Sequence, residues 1–143
     1  FIAAMSGHTV LRHSLPQPVI RTIIPEKLVL GFDYCSRHGV SLSLIKARMV
    51  QTLGDWSCDE AANFFVGALL RDDILSVKMT CRPKTRDIKV IVGGGRPLRK
   101  IFVILLRHAG VDNIVEVDDE TARRAPAIGA LKVYEEYLAN HRG

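Results

Sequence analysis

Helical spacing of apolar residues is the clearest pattern in the middle of the chain. The spacing predicts a helix over 42–53, which Gly54 would end as a glycine just past the last turn. The apolar side of this helix consists of Leu42, Ile45, Met49, Val50 and Leu53.

A second helix is predicted to begin at Ser57, because Ser57 and Glu60 have the spacing of a capping box. Gly67 interrupts the apolar spacing of this helix at a cost of about 1 kcal/mol, which indicates that another element comes close there. The segment 15–34 carries three prolines, and we expect it to be loop with at most short helical turns.

The last third of the chain alternates between short β-branched runs and helical spacing. Strands are predicted over 88–92 and 113–117, a helix over 97–109 between them, and a last helix opening at Pro126. A strand, helix, strand, helix order predicts two parallel strands with the connecting helix on one face. The expected fold class is therefore α/β.

Three consecutive glycines, Gly93, Gly94 and Gly95, separate the first of these strands from its helix. Backbone amides at a helix amino terminus favour an anion, and the missing Cβ atoms would let a flat ligand lie against the backbone. The stretch lacks both the G-x-G-x-x-G pattern and a Walker Lys-Ser/Thr pair, so neither a dinucleotide fold nor a P-loop is indicated. A tight turn and a nucleotide-binding loop both remain open on this pattern alone.

Composition agrees with one domain that has a real core. The chain has 143 residues, 48% of them hydrophobic, and its net charge of +5 would suit an anionic ligand or simply a solvated surface. No apolar run approaches the roughly 18 residues of a membrane span, so we expect a cytoplasmic protein without a membrane partner. Three scattered cysteines indicate neither disulfides nor a zinc knuckle.

Other candidate sites are weaker. His8 and His13 do not share a helix face, and Cys35 with His38 lacks further ligands, so no metal site is predicted. The acidic run 118–120 is more typical of a helix start than of a metal site. Nucleic acid is not favoured as a partner, because the basic residues over 78–89 have no aromatic residues among them.

Several stretches together resemble one enzyme family. The strand ending in VGGG, the acidic end of the second strand and the later Ile128-Gly129-Ala130 resemble the end of the ATPase domain of actin, hexokinase-type sugar kinases and seventy-kilodalton heat-shock chaperones. FIAAMSGH resembles the F-x-T-x-M-T-G-E segment of 2-dehydro-3-deoxygalactonokinase. The stretch LIKARMVQTLGDWSCDEAANFFVGALLRDDI resembles that family's later segment, which has an Arg in a helix, a Gly-Asp turn, an acidic helix start and S-G-L-L-I-G-D-E-I. The resemblance extends over nearly the whole chain.

The resemblance implies a fold and a reaction. The fold would be a partial ribonuclease H-like (actin-like ATPase) domain, and residues 1–143 would be the carboxy-terminal, nucleotide-binding half of a sugar-acid kinase in galactonate degradation. Such a kinase transfers the γ-phosphate of ATP to 2-dehydro-3-deoxygalactonate with Mg²⁺ bridging the phosphates. The residues implied in ATP binding are Gly93, Gly94, Gly95, Gly129 and Ala130. The catalytic residues stay unassigned.

The chain also departs from that family. His8 stands where the family has Glu, and Arg71 where it has Gly. No D-x-G-[ST] phosphate loop occurs and the chain opens with Phe1, so we expect a fragment that is inactive alone and whose partners include the missing amino-terminal half. A non-catalytic interaction module without phosphate loops is the alternative, and a second copy of the chain is left open as a partner.

Overall fold

The structure is a computed structural model that describes residues 11, 15–16, 18–80 and 88–141. Its elements in chain order are α1 Pro25–Thr52, α2 Cys58–Thr80, β1 Val90–Val92, α3 Leu98–His108, β2 Ile114–Glu116 and α4 Asp119–Asn140. None of these four helices combines the length and the apolar character that crossing a membrane requires.

The expected α/β, ribonuclease H-like (actin-like ATPase) fold is wrong. Most of the described chain is helical, and its one sheet has two strands of three residues each. The two longest helices, α1 and α2, pack mainly against each other, so helix packing rather than a wide sheet forms the core. The strand-like residues 1–5 and the histidines at positions 8 and 13 lie outside the described residues.

Helix α1 begins at Pro25, so the expectation of a loop over 15–34 is wrong from residue 25 onward. Proline is favoured in the first turn of a helix, where its missing N–H has no intrahelical partner to lose. Glu26 in the same turn suits the positive end of the helix dipole. The helix is kinked at Gly39, whose φ is +79°.

The predicted helix over 42–53 is confirmed as the second part of α1, but its apolar side faces solvent. Leu42, Ile45, Met49 and Leu53 are between 49% and 79% exposed. The spacing of these residues predicts the helix correctly but does not tell whether its apolar side is buried. A period of 3.6 shows only which residues share a face.

Helix α2 begins with the predicted capping box. The Ser57 amide donates to the Glu60 carboxylate at 2.9 Å, and the Glu60 amide donates to the Ser57 hydroxyl at 3.2 Å. The Ser57 amide, with Lys27 beside it, lowers the pKa of the Glu60 carboxyl below its ordinary value. Two otherwise unpaired amides at this helix end are thereby satisfied.

Helices α1 and α2 cross with their backbones in contact. A Cβ atom added at Gly31 would lie 2.0 Å from the Phe64 carbonyl oxygen, and one added at Gly67 would lie 2.0 Å from the Leu28 carbonyl oxygen. No side chain can occupy such a space without moving a helix. The close approach predicted at Gly67 is confirmed, and Gly31 is its counterpart on α1.

Helix α3 connects the helix pair to the sheet. It packs on α1, α2 and both strands, and its Ile101, Leu105 and Leu106 join Phe64 and Phe65 of α2 in the core. Gly110 ends α3 with φ of +84°, and the amides of residues 110 and 111 donate to the carbonyls of residues 107 and 106, as in a Schellman motif.

Strands β1 and β2 are parallel neighbours, as predicted. Val90 pairs with Ile114, Ile91 with Val115 and Val92 with Glu116 in the register of the sheet. Because the strands are parallel, the glycines after β1 and the acidic residues after β2 lie at the same edge of the sheet.

The last helix begins before Pro126, so the prediction that Pro126 opens it is wrong. Asp118 caps the helix instead, because its carboxylate accepts the Thr121 amide at 2.8 Å. Pro126 lies inside α4, and no residue of α4 is buried. The helix start expected for the acidic run 118–120 is confirmed by this cap.

Candidate functional site

The three glycines after β1 form one wall of a cavity. The cavity has a volume of about 420 Å³, within the range of about 300 to 1,000 Å³ typical of small-molecule sites. It opens where β1 ends and α3 begins, which is the position in an α/β unit where ligands usually bind.

The Cβ positions of the three glycines are open. A Cβ atom added at Gly93, Gly94 or Gly95 would meet no atom within 4 Å. Gly94 has φ of +93°, a conformation that other residues rarely adopt, whereas Gly93 and Gly95 do not have a positive φ. Only Gly94 is therefore required by the turn itself.

The remaining walls are apolar. They come from the residues of β1, from Leu98, Phe102 and Leu106 on one side of α3, and from Val77 of α2. Arg99 is the one charged residue among those described that line the cavity, and an arginine remains protonated in proteins. This arrangement can hold a flat, mostly apolar group, but its described lining contains no general base.

Arg99 ties the glycine loop to the start of α4. Its side chain is 2% exposed, and its guanidinium donates to the Gly94 carbonyl at 3.0 Å, to Glu116 at 3.2 Å and to Asp119. The bond to Asp119 raises the pKa of Arg99 above its ordinary value, and the same bond lowers the pKa of the Asp119 carboxyl. The loop, the end of β2 and the first turn of α4 are thus held by one buried cation.

The structure does not bring all the expected ATP-binding residues together. Gly93, Gly94 and Gly95 line the cavity, but Gly129 and Ala130 are exposed in α4 and do not. Gly129 is ten residues beyond Asp119, which corresponds to about 15 Å along the helix. The two parts of the expected adenosine contact are therefore separate in this structure.

The other candidates have structural partners. Arg71 contacts Ser36 of α1 at 3.3 Å and Asp72 at 2.6 Å, and it lines neither of the cavities that involve the glycine loop. Burial raises the pKa of the Cys35 thiol. In the parts of the chain that the structure describes, no three potential metal ligands of the His, Cys, Asp and Glu types group together.

Sequence reasoning missed two buried polar residues. Arg99 lies on the helix whose apolar spacing dominates that segment, and Asn63 is fully buried in α2, where it bonds the Ile24 amide and the Thr22 and Asp59 carbonyls at 2.8 to 2.9 Å. The carboxylates at 116 and 119 were the available signal for Arg99, since a buried guanidinium requires such partners. Nothing in the sequence pattern indicates the partners of Asn63.

Comparisons of this chain with protein-family models, with curated proteins and with solved structures gave no significant match.

Proposed function

We propose that the glycine loop and its cavity bind the adenosine part of ATP. The observation that carries the proposal is the glycine wall itself, since a 420 Å³ cavity stands against three consecutive residues whose Cβ positions are empty. A turn requires glycine at residue 94 but not at 93 or 95, so the run of three leaves more open backbone than the turn needs.

The reaction class follows from the quoted resemblance. The chain would be the nucleotide-binding part of an ATP-dependent kinase for 2-dehydro-3-deoxygalactonate, with Mg²⁺ bridging the ATP phosphates. Phosphoryl transfer requires phosphate contacts, metal ligands and a residue that orients the nucleophile. The described lining of the larger cavity contains neither a metal ligand nor a residue that could orient the nucleophile. We therefore expect the chain by itself to bind nucleotide without turnover.

A Gly93→Val variant tests the adenosine proposal. Gly93 lines the cavity, its φ angle is not positive and no atom lies within 4 Å of its Cβ position, so a valine fits there without overlap or backbone strain and would narrow the space beside the loop. We expect calorimetry to show at least about a tenfold loss of ATP affinity, which corresponds to about 1.4 kcal/mol, with little change in the thermal midpoint. ATP binding that survives this substitution would contradict the proposal.

Gly129→Val is the matched control. The Cβ position at residue 129 is also open, but the residue lies in α4 and lines no part of the cavity. We expect this variant to bind ATP like the wild type. If Gly129→Val alone abolishes binding, the ligand lies along α4 and the glycine loop is not its site.

A non-catalytic interaction module is the second candidate, and α4 favours it. Twenty-two residues of helix have no buried side chain, and Leu131, Val133, Tyr134 and Tyr137 are all more than half exposed. The two candidates separate on the wild-type chain, because an interaction module has no reason to bind ATP at the glycine loop.

A further inference from the structure

A second, smaller cavity adjoins the first across the glycine loop. Its volume is about 150 Å³, and it shares Gly94, Gly95 and Arg99 with the larger cavity. Its other lining residues, Asp119, Ala122 and Arg123, come from the first turns of α4. The two cavities are thus neighbours that share three lining residues, the larger one mostly apolar and the smaller one lined by charged residues of α3 and α4.

Most charges around the smaller cavity are already paired. Asp119 pairs with Arg99 and, at 3.3 Å, with Arg96, and Arg99 also pairs with Glu116 at 3.2 Å. Arg99 also donates a hydrogen bond to the Gly94 carbonyl oxygen. The carboxylate and the carbonyl that could repel an anion are therefore both engaged by cations.

Arg123 is the exception. Arg123 is an exposed residue of α4 that lines the smaller cavity, and its side chain has no ion pair or hydrogen bond to any residue that the structure describes. The neighbouring Arg124 is paired with Glu120 at 3.3 Å and lines neither cavity. An arginine with no partner among the described residues thus borders the smaller cavity.

We propose that the smaller cavity holds the phosphate groups of the nucleotide and that Arg123 binds them. This inference rests on the proposed adenosine site, and it specifies the ligand class as a nucleoside phosphate rather than a nucleoside. The phosphate chain passes over Gly94 and Gly95, where no Cβ atom obstructs it. A guanidinium offers a phosphate two parallel donors, and the amino end of α4 adds a favourable dipole.

The test compares adenosine with ADP in an Arg123→Met variant of the whole chain. Methionine keeps much of the length and the helix propensity of arginine but removes its charge. We expect calorimetry to show about a tenfold weaker affinity for ADP, the low end of the range for a charged hydrogen bond, and an unchanged affinity for adenosine. Added salt should weaken ADP binding to the wild type more than adenosine binding, because only the phosphate contact is screened.

Arg124→Met is the matched control, since it removes an adjacent arginine of the same helix that does not line the site. It should leave both affinities unchanged. The inference is overturned if Arg123→Met leaves ADP affinity intact, if it weakens adenosine and ADP equally, or if Arg124→Met has the same effect on ADP.

Inorganic phosphate distinguishes the site from a nonspecific anion site. Phosphate alone should compete with ADP only weakly, because it lacks the contacts of the larger cavity, and it should not compete with adenosine. If the wild type binds adenosine, and binds ADP no more tightly than adenosine, the proposed function stands and the phosphate inference fails. If it binds neither, both fail together.

Discussion

Two regions of this molecule use glycine for opposite reasons. At the crossing of α1 and α2, Cβ atoms on Gly31 and Gly67 would lie 2.0 Å from carbonyl oxygens of the facing helix. In the loop after β1, Cβ atoms on Gly93, Gly94 and Gly95 would meet nothing within 4 Å. The first pair lets two backbones touch, and the second group leaves open a space that nothing in the described protein fills.

The difference teaches how to separate structural from functional glycines. A glycine whose Cβ position is occupied by backbone is explained by packing, and one with positive φ is explained by the turn. Gly93 and Gly95 meet neither condition, since their surroundings are open and no positive φ is found there. The proposed nucleotide, lying against the backbone, would account for glycine at both positions.

The largest effect is expected at the helix crossing. In Gly67→Ala the new Cβ would overlap the Leu28 backbone, and backbone shifts of this kind cost about 1 to 3 kcal/mol, which exceeds the helix-propensity gain of about 1 kcal/mol. Because a Cβ atom 2.0 Å from a backbone oxygen can be relieved only by moving a helix, we expect a cost at the upper end of that range. After the propensity gain, the net loss should be about 2 kcal/mol, seen as a lower midpoint in chemical denaturation.

Gly129→Ala in α4 provides the control for this substitution. The same propensity gain applies there, but the Cβ enters open space. Stability should stay the same or rise slightly. If the two variants behave alike, the backbone contact at the crossing of α1 and α2 is not what requires Gly67.

An intermediate effect is expected for a pair of turn glycines. Gly94 and Gly110 have φ of +93° and +84°, and neither has an atom near its Cβ position. Replacing either with alanine should cost a similar free energy of unfolding, about 1 to 3 kcal/mol, because the strain is the same. Only Gly94→Ala should also weaken ATP binding, as measured by calorimetry below the unfolding range.

Two results for Gly94→Ala and Gly110→Ala would contradict the functional interpretation of the loop after β1. Equal affinities for ATP in Gly94→Ala and Gly110→Ala would mean that the loop after β1 is a turn and nothing more. A much larger stability loss at residue 94 than at residue 110 would mean that protein atoms fill the space beside the loop.

Some elements of the fold were predictable from the sequence and others were not. The parallel strands, the helix between them, its end at Gly110 and the capping box at Ser57 followed from local patterns, because each depends on residues near in the chain. The start of α1 at Pro25 did not, since proline is compatible with either a helix start or a loop. Pro126 was misplaced because proline is disfavoured inside a helix, yet α4 continues through it. The prediction of an actin-like fold with a wide sheet was wrong, because the two predicted strands pair with each other and the described residues add no further strand to them.

The candidate site was predictable only in part. Three glycines between a strand and a helix indicated the loop, but the buried Arg99 and the unpaired Arg123 depend on contacts between β2, α3 and α4 that no local pattern contains. Gly31 was also missed, because its partner, Phe64, is thirty-three positions away in the sequence.

The smallest effect is expected from pH. The pKa of Asp119 is lowered by Arg99 at the loop, and that of Glu60 is lowered by Ser57 and Lys27 at the start of α2. Because both carboxyls are more acidic in the folded chain, their stabilisation is complete above the ordinary values of about 3.9 and 4.3 and is lost as pH falls below them. We therefore expect the thermal midpoint to decrease as the pH is lowered from about 5 to about 3, the window around the two ordinary pKa values.

Two variants assign the acid response to the two regions. Asp119→Asn should reduce the pH dependence that arises at the loop, and Glu60→Gln the part that arises at the helix pair. A midpoint that rises on acidification would contradict the direction of both pKa shifts.

The most direct test of the central claim is a titration of the chain with ADP after selective ¹⁵N labelling of its 11 glycines. The amide signals of Gly93, Gly94 and Gly95 should shift in a saturable way, while those of Gly31 and Gly67 at the buried crossing should not. No shift at ADP concentrations up to about 10 mM, where even a site with a Kd near 1 mM would be mostly occupied, would contradict the account. So would shifts confined to glycines outside the loop.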